Sequence, residues 1–343
     1  MSGQTTRAIR LAARPQSSPA ATDFRIEVVD LPELADGEVE LALRWLSLDP
    51  LIRIRIDAAP LGGSIPPLPI GSIMVGPAVS EVTRSRNPAF AVGDLVEGRL
   101  PWQETSLSNG SGLKKVDPSI ASPSTALGVL GLPGFTAFVG LRLVPDVPSG
   151  GALLISGASG AVGSIVGQLA KRRGLRVVGL ASSPKKRAYL VDELGFDVAL
   201  DRNAPDLEEQ LQAAAPGGFD VYFDNVGGEL FPLALAAMKH GGQVLICGLM
   251  ANYGDGGGGP KDRLPEALLS IMARSLTVKA YGSIFYQASM NADFRREVGE
   301  LVKAGKLHLA EHVVEGFEAV PEAFSAVFRT GHVGKALVRI GVA

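Results

Sequence analysis

Residues 152–163 read ALLISGASGAVG, and this stretch decides the fold. Ala152 to Ile155 form a short apolar run of the kind that becomes a buried strand. The run ends at Gly157, and Gly160 and Gly163 follow at three-residue spacings. Apolar residues then recur at helical spacing through Ile165, Val166, Leu169 and Ala170, and the pattern stops at Gly174. The order is strand, glycine turn, helix. The first glycine permits a tight turn, the middle one lets backbone N–H groups approach a pyrophosphate, and the last lets the helix pack close to the strand. The positive end of the helix then faces the phosphates. Glycines at this spacing are a weak signal alone. The strand before them and the helix after them turn the pattern into a dinucleotide site, with Gly157, Gly160, Ala161, Val162 and Gly163 as candidate contacts.

The rest of the chain sets limits on function. Its 343 residues suffice for two domains, and it is 46% hydrophobic and 20% charged with a formal net charge of −2. That is a soluble, globular composition with no basic excess for nucleic acid or a membrane surface. No apolar run approaches the ~20 residues of a membrane span. The opening MSGQTTRAIRLAARPQSSP has no apolar core of a secretory signal. The single cysteine, Cys247, can form no internal disulfide, and a cytoplasmic location is expected.

The first ~125 residues read as β-rich, with candidate strands TTRAIRLAA, FRIEVVDL, EVELALRWLSL, PAVSEVT and DLVEG separated by proline and glycine clusters. From Gly128 strand and helix signals alternate. LRVVGLA, VALD, DVYFDNV, QVLICGL and LTVKAYG read as strands, with helical stretches between them. One of these is PKKRAYLVDEL, with Ser183 at its N-cap and Pro184 at its first turn. The middle of the chain is thus expected to be α/β, a doubly wound parallel sheet. Residues 310–340 return to short mixed elements ending in ALVRI.

The second strand of the α/β region ends Leu180, Ala181, Ser182, Ser183. A site for NAD usually has a carboxylate there for the ribose 2′-hydroxyl. None is present, and Lys185, Lys186 and Arg187 follow at once. Cations and hydroxyls suit a 2′-phosphate, hence NADP; a plain solvated helix start is the alternative, although cations oppose the dipole at a helix N-terminus. A structural zinc needs four clustered cysteines, and a catalytic zinc needs cysteine and histidine ligands. This chain has one cysteine, and His240, His308, His312 and His332 all fall in its C-terminal third. No metal is expected. The serines of ISGASGAVG have no assigned histidine and acid partner, so hydrolase chemistry is not read from them.

Further motifs carry a resemblance. LSLDPLIR (46–53), VGDLVEG (92–98), LGVLGLPGFTAFVGL (127–141), YFDNVGGELF (222–231), QVLICG (243–248) and HVGKALVRI (332–340) occur in order with the glycine turn. The chain resembles the zinc-independent medium-chain dehydrogenase/reductases, in particular the group of prostaglandin reductases, alkenal double-bond reductases and curcumin reductases. The resemblance implies a GroES-like β-rich domain from residues 1–126 and 310–343, a Rossmann NADP-binding domain from 127–309, and a homodimer. It implies NADPH as cofactor, and reduction of the C=C bond of an α,β-unsaturated ketone or aldehyde by hydride transfer to Cβ. Quinone reduction by a related enzyme, or NADPH binding without turnover, are the other readings. Implied cofactor contacts are Ser182, Lys186, Asn225, Cys247, Gly248, Tyr253, Tyr281, Gly282 and Ser283. Arg202 stands where the group often has a tyrosine, and His332 stands at an asparagine position. For Cys247 and Tyr281, core packing is the competing role. Leu51 replaces a common tyrosine after Asp-Pro, and Thr105 stands where some bacterial relatives have tyrosine. Tyr253 matches a tyrosine of the group and is the candidate catalytic proton donor, with solvent as the alternative. The run GDGGGG at 254–259 is either a lid or an ordinary surface loop.

Overall fold

The computed structural model describes residues 4–57, 66–144, 146–253, 263–329 and 332–341. The chain divides into two compact units, one of Met1–Gly128, Glu311–His332 and Ala336–Ala343, the other of Val129–Ala310 and Val333–Lys335. The run at 254–259 lies outside the described residues.

The first unit opens with β1 (Thr5–Leu11) and β2 (Phe24–Asp30), paired antiparallel from Thr5↔Asp30 to Leu11↔Phe24. Then come β3 (Val39–Ser47), the short helix α1 (Ile52–Ile56), β4 (Val75–Ser85), β5 (Leu95–Pro101), β6 (Thr105–Ser108) and β7 (Lys114–Lys115). Between these and the unit's later segments the chain builds the second unit. That unit contains α2 (Leu132–Arg142), β8 (Ala152–Ile155), α3 (Gly163–Arg172), β9 (Arg176–Ala181), α4 (Pro184–Ala188), β10 (Val198–Asp201) and α5 (Leu207–Ala214). It continues with β11 (Phe219–Asp224), α6 (Leu230–Ala236), β12 (Met238–Ile246), α7 (Leu264–Arg274), β13 (Thr277–Ala280) and α8 (Gln287–Lys303). The remaining elements are β14 (Glu311–Glu315), α9 (Val320–Phe328) and β15 (Lys335–Arg339).

In the first unit the larger sheet runs β14-β15-β3-β4-β5-β7, with β6 paired to β3. β15 joins antiparallel to β3, Leu337 opposite Ser47. The apolar side chains of these strands meet those of α9, around Trp102 and Phe324 at 5.5 Å, ring edge to face, with Phe24 against both.

The second unit holds a parallel sheet of order β10-β9-β8-β11-β12-β13. This is the doubly wound order expected from the alternating pattern. β8 lies inside the sheet, and all four of its residues are buried. A strand covered on both faces needs apolar residues throughout, which is why ALLI shows no alternation. The chain leaves β8 toward β9 on one side, while β11 is its neighbour on the other. The crevice beyond the carboxyl ends of β8 and β11 is therefore the switch point where such sheets bind ligands.

One local expectation needs correction. PKKRAYLVDEL is not a single α-helix: α4 stops at Ala188, and Tyr189–Glu193 form a π turn closed by Leu194 N–H to the Tyr189 carbonyl at 3.2 Å. The wider turn buries Tyr189 and Leu190 together, and so satisfies the hydrophobic demand of neighbouring residues that an ideal helix would aim about 100° apart.

Candidate cofactor and active site

The glycine turn is built where the sequence places it. Gly157 has φ +59°, the left-handed region that glycine adopts without steric cost. A Cβ at Gly163 would lie 2.5 Å from the carbonyl oxygen of Gly157 and 2.8 Å from the Cα of Ala158. Both are backbone atoms that cannot yield cheaply, so glycine there lets α3 begin against the turn. Gly160 donates to the Gly157 carbonyl at 3.0 Å and accepts the Ser164 N–H at 3.1 Å, and Ala161 and Val162 lead into the helix, where Val162 accepts the N–H groups of Ile165 and Val166. Gly334 crosses this turn, donating its N–H to the Ser159 carbonyl at 2.8 Å and forming a bridge with Gly160. Its φ is +76°, and a Cβ would overlap the carbonyl of Ala310. This gives the glycine of HVGKALVRI a physical task.

Two residues that sequence reasoning missed hold the floor of the crevice. Asp224 is fully buried. Its carboxylate accepts hydrogen bonds from Ser156 Oγ and Tyr222 Oη, both at 2.7 Å, and from the amides of Val226 at 3.1 Å and Gly227 at 3.0 Å. Ser156 Oγ in turn accepts the Asn225 N–H at 2.8 Å, and Asn225 Nδ2 donates to the Ser156 carbonyl at 2.8 Å. The DNVGG loop after β11 is thereby bonded to the start of the glycine turn after β8. Gly248 packs on the same loop, where a Cβ would lie 3.1 Å from the Asn225 carbonyl oxygen. A signal was present: an aspartate that ends an apolar strand and precedes two glycines has amides to cap.

At the ends of β9 and β10 the cations gather. Ser183 caps α4, accepting the Lys186 N–H at 3.3 Å, while Arg202 N–H donates to the Ala181 carbonyl at 3.0 Å, beside Ser182. Arg187 pairs with Asp201 at 2.7 Å. Lys186 and Arg202 have no ion-pair partner among the described residues. Burial, and then the charge of Arg202, push the Lys186 ammonium below the usual lysine range. Two neighbouring half-buried cations, neither in an ion pair among the described residues, fit a dianion such as the 2′-phosphate of NADP.

Tyr281 and Ser283 turn toward α2. Tyr281 Oη donates to the Thr136 carbonyl at 2.9 Å, and Ser283 Oγ lies 2.8 Å from Thr136 Oγ1. Gly140 of LGLPGFTAFVGL makes room for the Tyr281 hydroxyl and the Phe223 ring, each 2.5 Å from where a Cβ would stand. The Tyr281 side chain thus packs, and Gly282 between them is exposed. Cys247 follows β12 and bonds to Tyr281, and burial pushes its thiol up to about 11. Tyr253 is half-buried, and its oxygen accepts the Leu249 N–H at 3.4 Å. Burial raises its hydroxyl above the usual tyrosine value, the Leu249 N–H lowers it in part, and Cys247 adds to the rise. The proton therefore stays on the oxygen at neutral pH. In the first unit, His332 stacks on His312 at 5.8 Å. Among the described residues no three of His, Cys, Asp and Glu are grouped to hold a metal ion.

Comparison with known proteins places this architecture. Residues 7–116 match the N-terminal domain of oxidoreductases, and residues 161–304 match the zinc-binding dehydrogenase domain. The chain is 37% identical over 332 residues to the NADPH-dependent curcumin reductase of Escherichia coli, covering 96% of this chain and 95% of that one. It is 39% identical over 325 residues to bovine prostaglandin reductase 1, covering 94% and 95%. The chain belongs to the curcumin and prostaglandin reductase group of the medium-chain dehydrogenase/reductases. Within that group, the crystal structure of CurA from Vibrio vulnificus in complex with NADPH superposes with a TM-score of 0.91 at 34% identity, covering 98% of this chain and 100% of that one. The reductase fold is thus shared over essentially the whole chain. No helix among the described residues is long and apolar enough to cross a membrane.

Proposed function

We infer that the protein is an NADPH-dependent reductase of the C=C bond of α,β-unsaturated ketones and aldehydes. The observation that carries this is the full-length relation to curcumin and prostaglandin reductases. The second unit is the cofactor domain, with Gly157, Gly160, Ala161, Val162 and Gly163 at the pyrophosphate and Ser182, Lys186 and Arg202 at the 2′-phosphate. Asn225, Cys247, Gly248, Tyr253, Tyr281, Gly282, Ser283 and His332 line the remainder. In the first unit, Leu51 is exposed and apolar.

NADPH, when bound, supplies a hydride. Addition of hydride to Cβ of an enone moves negative charge onto the carbonyl oxygen, which then needs a hydrogen-bond donor, and Cα needs a proton. Tyr253 is the donor. Its oxygen already accepts an N–H, and no acceptor among the described residues takes its proton. The chemistry needs no metal, and the single cysteine together with the late positions of all four histidines supports that reading.

A homodimer is supported by the sheet edge. β13 ends the parallel sheet with all four residues exposed. In α7, which leads into it, Leu268 and Met272 stand one turn apart and are 49% and 75% exposed, next to Leu269 at 65%. An open edge beside an apolar stripe is covered by the same surface of a second copy. Val278→Lys with Met272→Asp should convert a dimer to a monomer in light scattering. The lack of any internal disulfide fits a cytoplasmic enzyme.

A panel of enones, alkenals and quinones, with NADPH oxidation followed and products identified, tests the function. Saturated ketones and aldehydes are expected. Allylic alcohol as the main product, or turnover of quinones alone, would overturn it.

A further inference from the structure

The same corner of the second unit contains a carboxylate that the cofactor reading leaves unexplained. Asp201 is the last residue of β10, directly before Arg202 and opposite Ala181 in the sheet register. It therefore lies at the very place where Lys186 and Arg202 await a 2′-phosphate. A carboxylate there is harmful to phosphate binding for two reasons: it repels the dianion, and it can pair with the cations that should hold it. Arg202 already acts on it electrostatically.

The structure keeps this carboxylate occupied. Arg187 Nη1 bonds Asp201 Oδ2 at 2.7 Å, and the Asn203 N–H bonds the other oxygen, Oδ1, at 3.0 Å. The pair is partly buried, its side chains 26% and 35% exposed. Arg187 reaches it from α4, whose start is fixed by the Ser183 cap on Lys186. Arg187 and Lys186 are adjacent on α4 but have different partners: the first takes the carboxylate, and the second is left without one.

We propose that Arg187 is a positioning residue for cofactor choice, holding Asp201 away from Arg202 and Lys186 so that these two remain open to the 2′-phosphate. It does not touch the cofactor. Without it, the Asp201 carboxylate turns to Arg202 and takes the place of the phosphate. This rests on the NADPH reading, which the wild-type protein tests by itself.

The test is equilibrium binding by isothermal titration calorimetry of NADP⁺, NAD⁺ and adenosine 2′,5′-bisphosphate to the intact protein. Wild type should prefer NADP⁺; equal affinity for NADP⁺ and NAD⁺ would overturn the cofactor reading and this proposal with it. Arg187→Ala should weaken NADP⁺ and the bisphosphate about 10- to 100-fold, the scale of one lost charge-assisted contact, and leave NAD⁺ within about threefold. Arg187→Lys should retain most of the affinity, since an ammonium also neutralises Asp201. The decisive variant is Arg187→Ala with Asp201→Asn, which removes clamp and carboxylate together and should restore NADP⁺ binding to within a few fold of wild type. A double variant as weak as Arg187→Ala would show that Arg187 contacts the phosphate itself. Equal loss of NAD⁺ binding in Arg187→Ala would show a merely structural role. Either result overturns the proposal, as does an Arg187→Ala protein that binds like wild type.

Discussion

Replacing Asp224 by asparagine tests whether the crevice floor is held by a charge. In the structure one oxygen, Oδ1, accepts from Ser156, Tyr222, Val226 and Gly227, while Oδ2 receives only a second approach of the Gly227 N–H at 3.1 Å. An asparagine can keep its carbonyl at the crowded Oδ1 position. Its NH₂ must then face the Gly227 N–H, donor against donor, and the remaining bonds lose the assistance of a charge. Bonds to charged groups contribute about 1.5–3 kcal/mol each, so Asp224→Asn should cost about 2–3 kcal/mol. Asp224→Ala leaves Tyr222 and two amides without their acceptor in the interior, and should cost about 3–6 kcal/mol, a large part of a typical domain's stability. Urea unfolding with and without NADP⁺ measures both, and cofactor affinity should fall together with stability, because Asn225 and the glycine turn share Ser156. Tyr222→Phe should cost about 1–2 kcal/mol in wild type and markedly less in the Asp224→Asn background, because the two residues share one bond. A stability of Asp224→Asn within about 0.5 kcal/mol of wild type would refute a charged floor.

Lys186→Ala and Arg202→Ala should each weaken NADPH about 10- to 150-fold relative to NADH, read from the ratio of their dissociation constants. Tyr253→Phe should lower kcat by ~10²–10⁴ without changing the product, measured with a simple enone; an effect below tenfold assigns the proton to solvent. Exhaustive chelation should leave turnover intact, and elemental analysis should find zinc well below one per chain. The Cys247 thiol rises on folding from the ordinary 9.0 to about 11. The folded state therefore binds that proton more tightly, and the associated stability is complete below pH 9 and lost as pH climbs toward 11. Cys247→Ala should flatten this decline in urea midpoints between pH 9 and 11.

Much of the second unit was legible because its signals are local. The apolar run at Ala152–Ile155 and the glycines at 157, 160 and 163 each act on neighbours a few residues away, and the strand order follows from alternation of strand and helix. What stayed hidden depends on contacts distant in sequence. Ser156 meets Asp224 across 68 residues, and Gly334 reaches Ser159 from the far end of the chain. The π turn at Tyr189–Glu193 was hidden for a related reason, since the residues read as good helix formers and the burial of Tyr189 and Leu190 overrides that preference. At the cofactor corner, the sequence showed three adjacent cations, and only the resemblance singled out Lys186. In the structure, the position of Asp201 separates Arg187 from Lys186.

The position of β15 has a consequence for how the chain is made. It is an inner strand, seated between β14 and β3, and it pairs with residues synthesised about 290 positions earlier. The segment that runs into it, Val333–Lys335, belongs to the other unit, where Gly334 bridges the glycine turn. At roughly 5–20 residues per second on the ribosome, the Trp45–Ser47 end of β3, beyond the Val39–Ala42 stretch that β6 covers, waits many seconds for its partner strand. Neither unit is complete until residues 333–339 have emerged. A stop codon at position 334 would remove Gly334 and β15 together, and so take a piece from each unit.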